Sequence, residues 1–469
     1  MNRITQGLLG IALCFLAGCR SHSTVEVPPQ PALPDAWVGE DAAQARSEDA
    51  WWESFGNPTL TALVVEALQN NRDLRSAAHR VELSAAQFAI AQSGRRPTLN
   101  LTGGAARRRQ NFIGFPIPGG GKVLSTTATT MNLGIAASWE ADLWGRIAAG
   151  VKAAEAEYMA SEADALGAAQ SVAAQVVAAW LGLLEARFQR ELAERTVASW
   201  ELSETTIRNR FESGVNSALD LRLATSDLEG ARANLTGSRD VEERSARALE
   251  VLLGRYPSAE LEAAAAYPAD LPNVPAGLPA DLLGRRPDLV AARMRLEAAQ
   301  QLSRQARKDL LPKLTLTGDL GRNSGELGDL LDGDFSTWGL GLNLLQPLID
   351  HGRFGATIDA QDAASQAAAA DLAGLTLVAC AEVEGALAAK VWLAERVQHL
   401  QASLVAATAA EELADDQYRR GLITIITVLD AQRRRFQAES LLISGHRLQF
   451  ENQVNLHLAL GGGFGVAPD

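Results

Sequence analysis

Between residues 131 and 140 the chain alternates with a period of two. Met131, Leu133, Ile135, Ala137 and Trp139 fall on one side, and Asn132, Gly134, Ala136, Ser138 and Glu140 on the other. That is the signature of a strand with one apolar face. Trp338, Leu340, Leu342 and Leu344 repeat it against Gly339, Gly341 and Asn343, while Leu99 and Leu101, then Leu314 and Leu316, mark the first strand of each of two hairpins. Segments of about ten residues suit tilted strands crossing an outer membrane with apolar side chains outward, although a half-buried soluble hairpin alternates in the same way. The remaining chain reads as helix, because proline, which breaks helix interiors, is absent from 59–96, 119–256, 288–311 and 348–467. The run from Ile147 to Phe211 predicts a helix of about 100 Å. Alanine crowds along it ("GAAQSVAAQVVAAW"), so neighbouring helices can approach closely. A plain coiled-coil rod would explain these helices but not the strands between them.

The pattern occurs twice. Displaced by 215 positions, residues 73–103 fall on 288–318, pairing Asp73 with Asp288, Arg80 with Arg295, Glu82 with Glu297, Pro97 with Pro312 and Gly103 with Gly318. Farther on the displacement is 207, pairing Gly145 with Gly352, Arg146 with Arg353, Gly214 with Gly421 and Gly254 with Gly461. The difference is assigned to a longer loop at 107–130 than at 322–337. Each copy reads as helix, strand, loop, strand, long helix, turn, helix, with Gly214 and Gly421 at the helix-hairpin turns. The expected division is 1–18 export signal, 19–57 N-terminal segment, 58–254 first repeat, 255–281 Pro-rich connector, 282–461 second repeat and 462–469 tail. Four strands cannot close a barrel, since bacterial barrels start at 8, and lipid tolerates no open edge. Several chains would have to close a ring together, two giving the minimum and three giving twelve strands.

The N-terminus sets the compartment. Gly7 to Leu16 is too short to span a bilayer, and Leu16-Ala17-Gly18-Cys19 resembles a bacterial lipobox, which predicts cleavage before Cys19 and its acylation. Arg20 stands where an aspartate would retain a lipoprotein at the inner membrane. Cys14 leaves with the signal and Cys380 is then alone, so no intrachain disulfide is expected. No later segment reads as a transmembrane helix; the most apolar, 172–186, is mostly alanine and carries Gln175. A net charge of −13 argues against nucleic acid as a partner.

Five segments together resemble one family: "WWESFGNPTLTALVVEALQNNRDLRSAAHRV" (51–81), "SWEADLWGR" (138–146), "LLGRRPDLVAARMRLEAA" (282–299), "LQPLIDHGRFGA" (345–356) and "YRRGLITIITVLDAQRRRF" (418–436). They are similar to the outer membrane factors, the TolC-like lipoproteins of resistance-nodulation-division efflux systems, including the NodT group. The resemblance runs from about residue 35 to 463. It implies an α+β membrane protein: a homotrimer with a 12-stranded outer-membrane β-barrel continued by a long periplasmic α-helical barrel. It further implies a periplasmic adaptor protein and an inner-membrane pump as partners, and outer-membrane lipid around the barrel. Carried over onto "ITVLDAQR", it places the periplasmic gate at Ile426, Asp430 and Arg433, spaced i, i+4, i+7 on one helical face. Arg433, in the same chain or a neighbouring one, is the expected partner of Asp430. The equivalent first-copy positions, Leu219, Leu223 and Ser226, carry no charge.

Catalytic chemistry finds no foothold. His446 and His457 share a helical face about 16 Å apart, too far to hold one metal. "PIPGGGKV" (116–123) lacks the earlier glycine of a phosphate loop and the hydroxyl after Lys122, and reads as a hairpin tip beside a charged loop edge, "RRRQ" (107–110). The expected role is a passive exit duct for small toxic compounds (drugs, dyes or metal ions), with no cofactor besides acyl chains on Cys19. A duct for type I protein secretion and a non-conducting structural lipoprotein are the alternatives.

Overall fold

The computed structural model describes residues 31–34, 36–38, 50–113, 123–262, 266–268, 271, 274 and 279–462. Cys19 and its lipobox lie outside them, as does nearly all of the glycine-rich segment at 116–123. The elements in order are α1 (Pro58–Asn70), α2 (Arg72–Ser93), β1 (Thr98–Phe112), β2 (Leu124–Ala141), α3 (Arg146–Glu212), α4 (Ala218–Leu252), α5 (Pro287–Lys308), β3 (Lys313–Ser324), β4 (Ser336–Leu345), α6 (Arg353–Arg419) and α7 (Ile425–Ala459). The chain divides into two compact units. One holds the sheet, from residues 85–157 and 294–372; the other comprises 31–84, 158–293 and 373–469. Each repeat contributes to both.

The duplication is copied in the backbone. α3 and α6 each have 67 residues and start 207 positions apart; α4 and α7 each have 35 with the same displacement; α2 and α5 each have 22, displaced by 215. Asp142 starts α3 by accepting the backbone N–H groups of Ile147 and Ala148 at 3.0 and 2.7 Å, and Asp350 does the same for Phe354 at the head of α6.

The expected unbroken helix after residue 58 is divided at Asn71. This residue is extended and buried, its side-chain amide donates to the Leu252 carbonyl at 2.9 Å, and its carbonyl oxygen accepts from the Asp73 and Leu74 amides. Arg286 occupies the matching position of the second copy. Pro287 pushes it out of helical geometry, and its guanidinium reaches the Ala459 carbonyl, the counterpart of Leu252, at 3.2 Å. The same break is held to the same acceptor by an amide in one copy and a cation in the other. Arg286 also bonds Asp288 and Glu382, so its buried charge is compensated.

The main core of the second unit gathers Trp51, Trp52 and Phe55, from a 3-10 turn, with Leu60 and Val64 of α1, Val176, Leu181 and Leu184 of α3, Leu249 of α4 and Phe450 of α7. His457 of α7 stacks on Trp51, ring centroids 4.9 Å apart, and is only 5% exposed. Neither of its ring nitrogens has a hydrogen-bond partner among the described residues. Burial therefore pushes its pKa down from 6.5 to about 4.

Because the folded state holds His457 neutral while the unfolded chain protonates near pH 6.5, stability is full above that pH and is lost as pH falls towards 4. The loss amounts to about 3 kcal/mol. Thermal melting from pH 7.5 to 4 should show this, and His457→Phe, which keeps a ring against Trp51, should flatten the acid limb. An identical acid limb in both proteins would remove His457 as its source.

Candidate functional site

The sheet is antiparallel in the order β1-β2-β3-β4. Its register aligns the apolar positions of all four strands into rows: Leu99, Ala137, Gly318 and Leu340 in one, and Leu101, Ile135, Leu320 and Trp338 in the next. Leu101 and Trp338 are 78% and 80% exposed, so none of the described residues covers that face there. Thr102, Asn132, Thr317, Asp319 and Asn343 alternate onto the opposite face. Gly134 and Gly321 stand directly opposite one another there, where a Cβ would meet the Leu320 carbonyl at 2.9 Å or the Leu133 carbonyl at 2.7 Å, so only glycine permits the approach. At the helix-proximal end the Trp139 indole donates to the Arg95 carbonyl at 3.1 Å and Trp144 to that of Pro312 at 2.8 Å, leaving both rings partly exposed. Tryptophans so held, with a satisfied polar handle and an exposed ring, are of the amphipathic kind enriched where a membrane meets water.

The first hairpin corrects the expected loop. β1 runs to Phe112 and β2 starts at Leu124, so residues 107–112 and 124–130 are paired strand, and Arg107, Arg108 and Arg109 lie within the ladder. Threonine-rich "STTATT" after Leu124 has the β-branched composition that extends a strand, a signal the apolar alternation alone does not register. α3 and α6 each contain an 18-residue window apolar enough to cross a membrane by composition, with mean hydropathy 1.4 and 1.6. Half of the α3 window and a third of the α6 window are buried within the chain, as in any packed apolar helix.

At the other candidate site, the helix-hairpin turns, Gly214 and Gly421 adopt φ of +73° and +74°. Val215 N–H reaches the Arg210 carbonyl and Leu422 N–H that of Gln417, closing each helix with the same left-handed cap. Ser217 and Asp220 form a reciprocal capping box at the start of α4, whereas Thr424, which precedes α7, makes no side-chain cap. Ile425, Val428 and Leu429 are buried with Trp200, Ile207 and Leu228. Ile426, Asp430 and Arg433 project together from the exposed side of α7. In the first copy Leu219 and Leu223 are exposed apolar side chains on α4.

The expected ion pair between Arg433 and Asp430 is present at 3.9 Å, but each has a closer partner. Asp430 accepts from Arg434, four residues on, at 2.8 Å, while Arg433 lies at 3.9 Å from it and bonds Asp227 of α4 at 3.3 Å. The hydrogen bond from Arg434 holds the Asp430 carboxyl below the usual carboxylate range. Arg434 was legible from i, i+4 spacing; Asp227 was not, since it is 206 residues away and only packing of α4 beside α7 presents it.

A sheet exposed on a greasy face and polar on the other, in a chain with two 67-residue helices, has the surface of a membrane β-protein. The family model described as "Outer membrane efflux protein" matches residues 63–255 and 278–462. The chain is 31% identical to the probable efflux pump outer membrane protein TtgC of Pseudomonas putida, over 98% of this chain and 96% of that one. It is 32% identical to outer membrane protein OprJ of Pseudomonas aeruginosa, over 96% and 94%. The open state of the MtrE outer membrane channel of Neisseria gonorrhoeae superposes with a TM-score of 0.79 at 27% identity, over 94% of this chain and 98% of that one. The chain belongs to the outer membrane efflux protein family. It is an efflux channel of the outer membrane, extending into the periplasm.

The Asp227–Arg433 pair is exposed on its arginine side, where an ion pair adds little to stability. Asp227→Asn, Arg433→Gln and the double variant should all melt within about 2 °C of the unmodified protein. A larger drop would make the pair part of the fold rather than a contact free to part.

Proposed function

We propose that the chain is the exit duct of a tripartite efflux system, passively conducting small toxic compounds received from an inner-membrane pump through a periplasmic adaptor. The observation that carries this reading is the four-stranded sheet, its leucine face bare and its outer strands β1 and β4 each paired on one side only among the described residues. In lipid those edges must be closed, and three copies give a barrel of about twelve strands, above the minimum of about 8. The polar face, with Asp319, Asn132 and Asn343, then lines the lumen. The exposed apolar side chains of α6, such as Leu377, Val378 and Trp392, are then covered by neighbouring copies. No catalytic step and no cofactor is part of the proposal.

At the periplasmic end Ile426, Asp430 and Arg433 of α7 constrict the closed duct. Support comes from their shared exposed side, from the reach of Arg433 to Asp227 on α4, and from the missing cap at Thr424, which leaves the second turn less tied than the first. Opening parts the contact between α7 and α4 while Asp430 keeps Arg434. Cys19 carries the acyl chains that tether the N-terminus to the membrane, several chains holding far better than one.

Deleting the gene should raise accumulation of a fluorescent dye substrate in cells, with complementation restoring it. Unchanged accumulation of dyes and drugs would sink the small-molecule reading. In planar bilayers Asp430→Ala should raise basal conductance, and an unaltered trace would remove Asp430 from the constriction. For the tether, Cys19→Ala should lose the lipid mass of the mature protein in mass spectrometry while oligomers persist; an unmodified Cys19 in the parent protein would refute acylation.

A further inference from the structure

The four strands carry seven charged side chains, and the register separates them by face. Arg108, Glu140, Lys313 and Asp319 lie on the polar face. Arg107, Arg109 and Arg322 lie on the apolar face, which has no acidic residue at all. All three are displaced towards the end of the sheet remote from α2, α3, α5 and α6, hence towards the cell exterior in the channel proposed above, on which this inference rests. A lipid-facing arginine costs about 2–4 kcal/mol at mid-membrane and nearly nothing at the interface, so its height on the sheet matters.

Register fixes the height. The apolar rows run from Ala141, Leu314 and Leu344 to Ala105 and Met131. Ten residues of β2 at about 3.3 Å each, tilted by roughly 40°, make a band about 25 Å tall, the usual lipid-facing height of such barrels. Arg107 and Arg109 are the next two outward positions of β1, on the same side and about 7 Å apart. Thr129 and Thr127 stand opposite them on β2. Arg109 donates to Ser125 Oγ at 3.0 Å, and neither arginine pairs with a carboxylate among the described residues. Arg322 starts lower on β3, but its guanidinium donates to the Leu330 carbonyl at 3.0 Å, in the segment joining β3 to β4, so its charge is carried towards the same outer rim.

Two guanidinium groups without a carboxylate partner among the described residues, flanked by hydroxyls and set directly above an apolar band, present forked donors to an anion whose acyl chains lie alongside the leucines. The outer leaflet of an outer membrane supplies such an anion in its phosphorylated glycolipid. We propose that Arg107 and Arg109 form a binding site for the phosphate groups of an outer-leaflet glycolipid, fixing the depth of the barrel and ordering lipid around it. Free inorganic phosphate would satisfy the arginines but not the apolar band, so the site requires both parts of the lipid.

The test uses the full-length protein purified in detergent and presented with nanodiscs of phosphatidylethanolamine containing either a bisphosphorylated glucosamine lipid or its dephosphorylated form. Native mass spectrometry counts the glycolipid retained. The unmodified protein should retain the phosphorylated form over the other by roughly tenfold, and Arg107→Gln/Arg109→Gln should abolish that preference. Arg107→Lys/Arg109→Lys should restore part of it, and Arg108→Gln, one residue away on the other face, should leave it intact. Equal retention of both lipids by the unmodified protein, an unchanged preference in Arg107→Gln/Arg109→Gln, or complete displacement by millimolar inorganic phosphate would overturn the proposal. Planar-bilayer conductance of the same samples reports separately on the channel, so loss of lipid preference with normal conductance speaks only to this site.

Discussion

A strand edge in lipid cannot be left unpaired, and everything else about this chain follows from how that constraint is met. Backbone groups at an open edge have no water to bond in the bilayer, yet the described residues of a single chain supply four strands. It therefore carries membrane structure that is incomplete by itself, bare on its leucine face and open at β1 and β4. Assembly under our proposal is part of folding rather than an addition to it, and the exposed apolar positions along α6 belong to the same economy.

Duplication explains how one chain builds both a sheet and long paired helices. Each repeat supplies a hairpin, a helix of 67 residues and a returning helix of 35. The path is kept by a few recurring devices. Glycines at positive φ close the helices at Gly214 and Gly421 and again at Gly254 and Gly461. A carboxylate opens each long helix, and Asn71 and Arg286 bend the shorter strut towards equivalent carbonyls. Where the copies diverge, function concentrates. The first turn has a capping box and exposed leucines; the second has no side-chain cap and carries Asp430, Arg433 and Arg434. The first hairpin is the longer one, and its added length carries the arginine pair.

Charge is handled differently at the two ends. At the second turn Arg433 and Arg434 each have an acid within reach, so the energy of parting them is small and reversible. On the apolar face of the sheet Arg107 and Arg109 have none among the described residues, and under our proposal their cost is avoided by height in the membrane. The same residue type thus serves as a contact that can part in one place and as a lipid contact in the other, and local dielectric decides which.

Much of this was legible in the chain itself. Period-two alternation located the strands, proline distribution the helices, and the 215 and 207 displacements the duplication, because all three are local or self-referential patterns. The common side of Ile426, Asp430 and Arg433 followed from helical spacing alone. Tertiary structure decided what depends on residues distant in sequence. It carried β1 and β2 through the arginine and threonine runs, since the hairpin ladder continues past the apolar positions that mark it. It broke the first helix at Asn71, because the Leu252 carbonyl waits 181 residues away. It gave Arg433 to Asp227 and left Arg434 to Asp430, a choice made by the packing of α4 beside α7 rather than by spacing. Pattern determines which side chains share a face; only packing determines what that face meets.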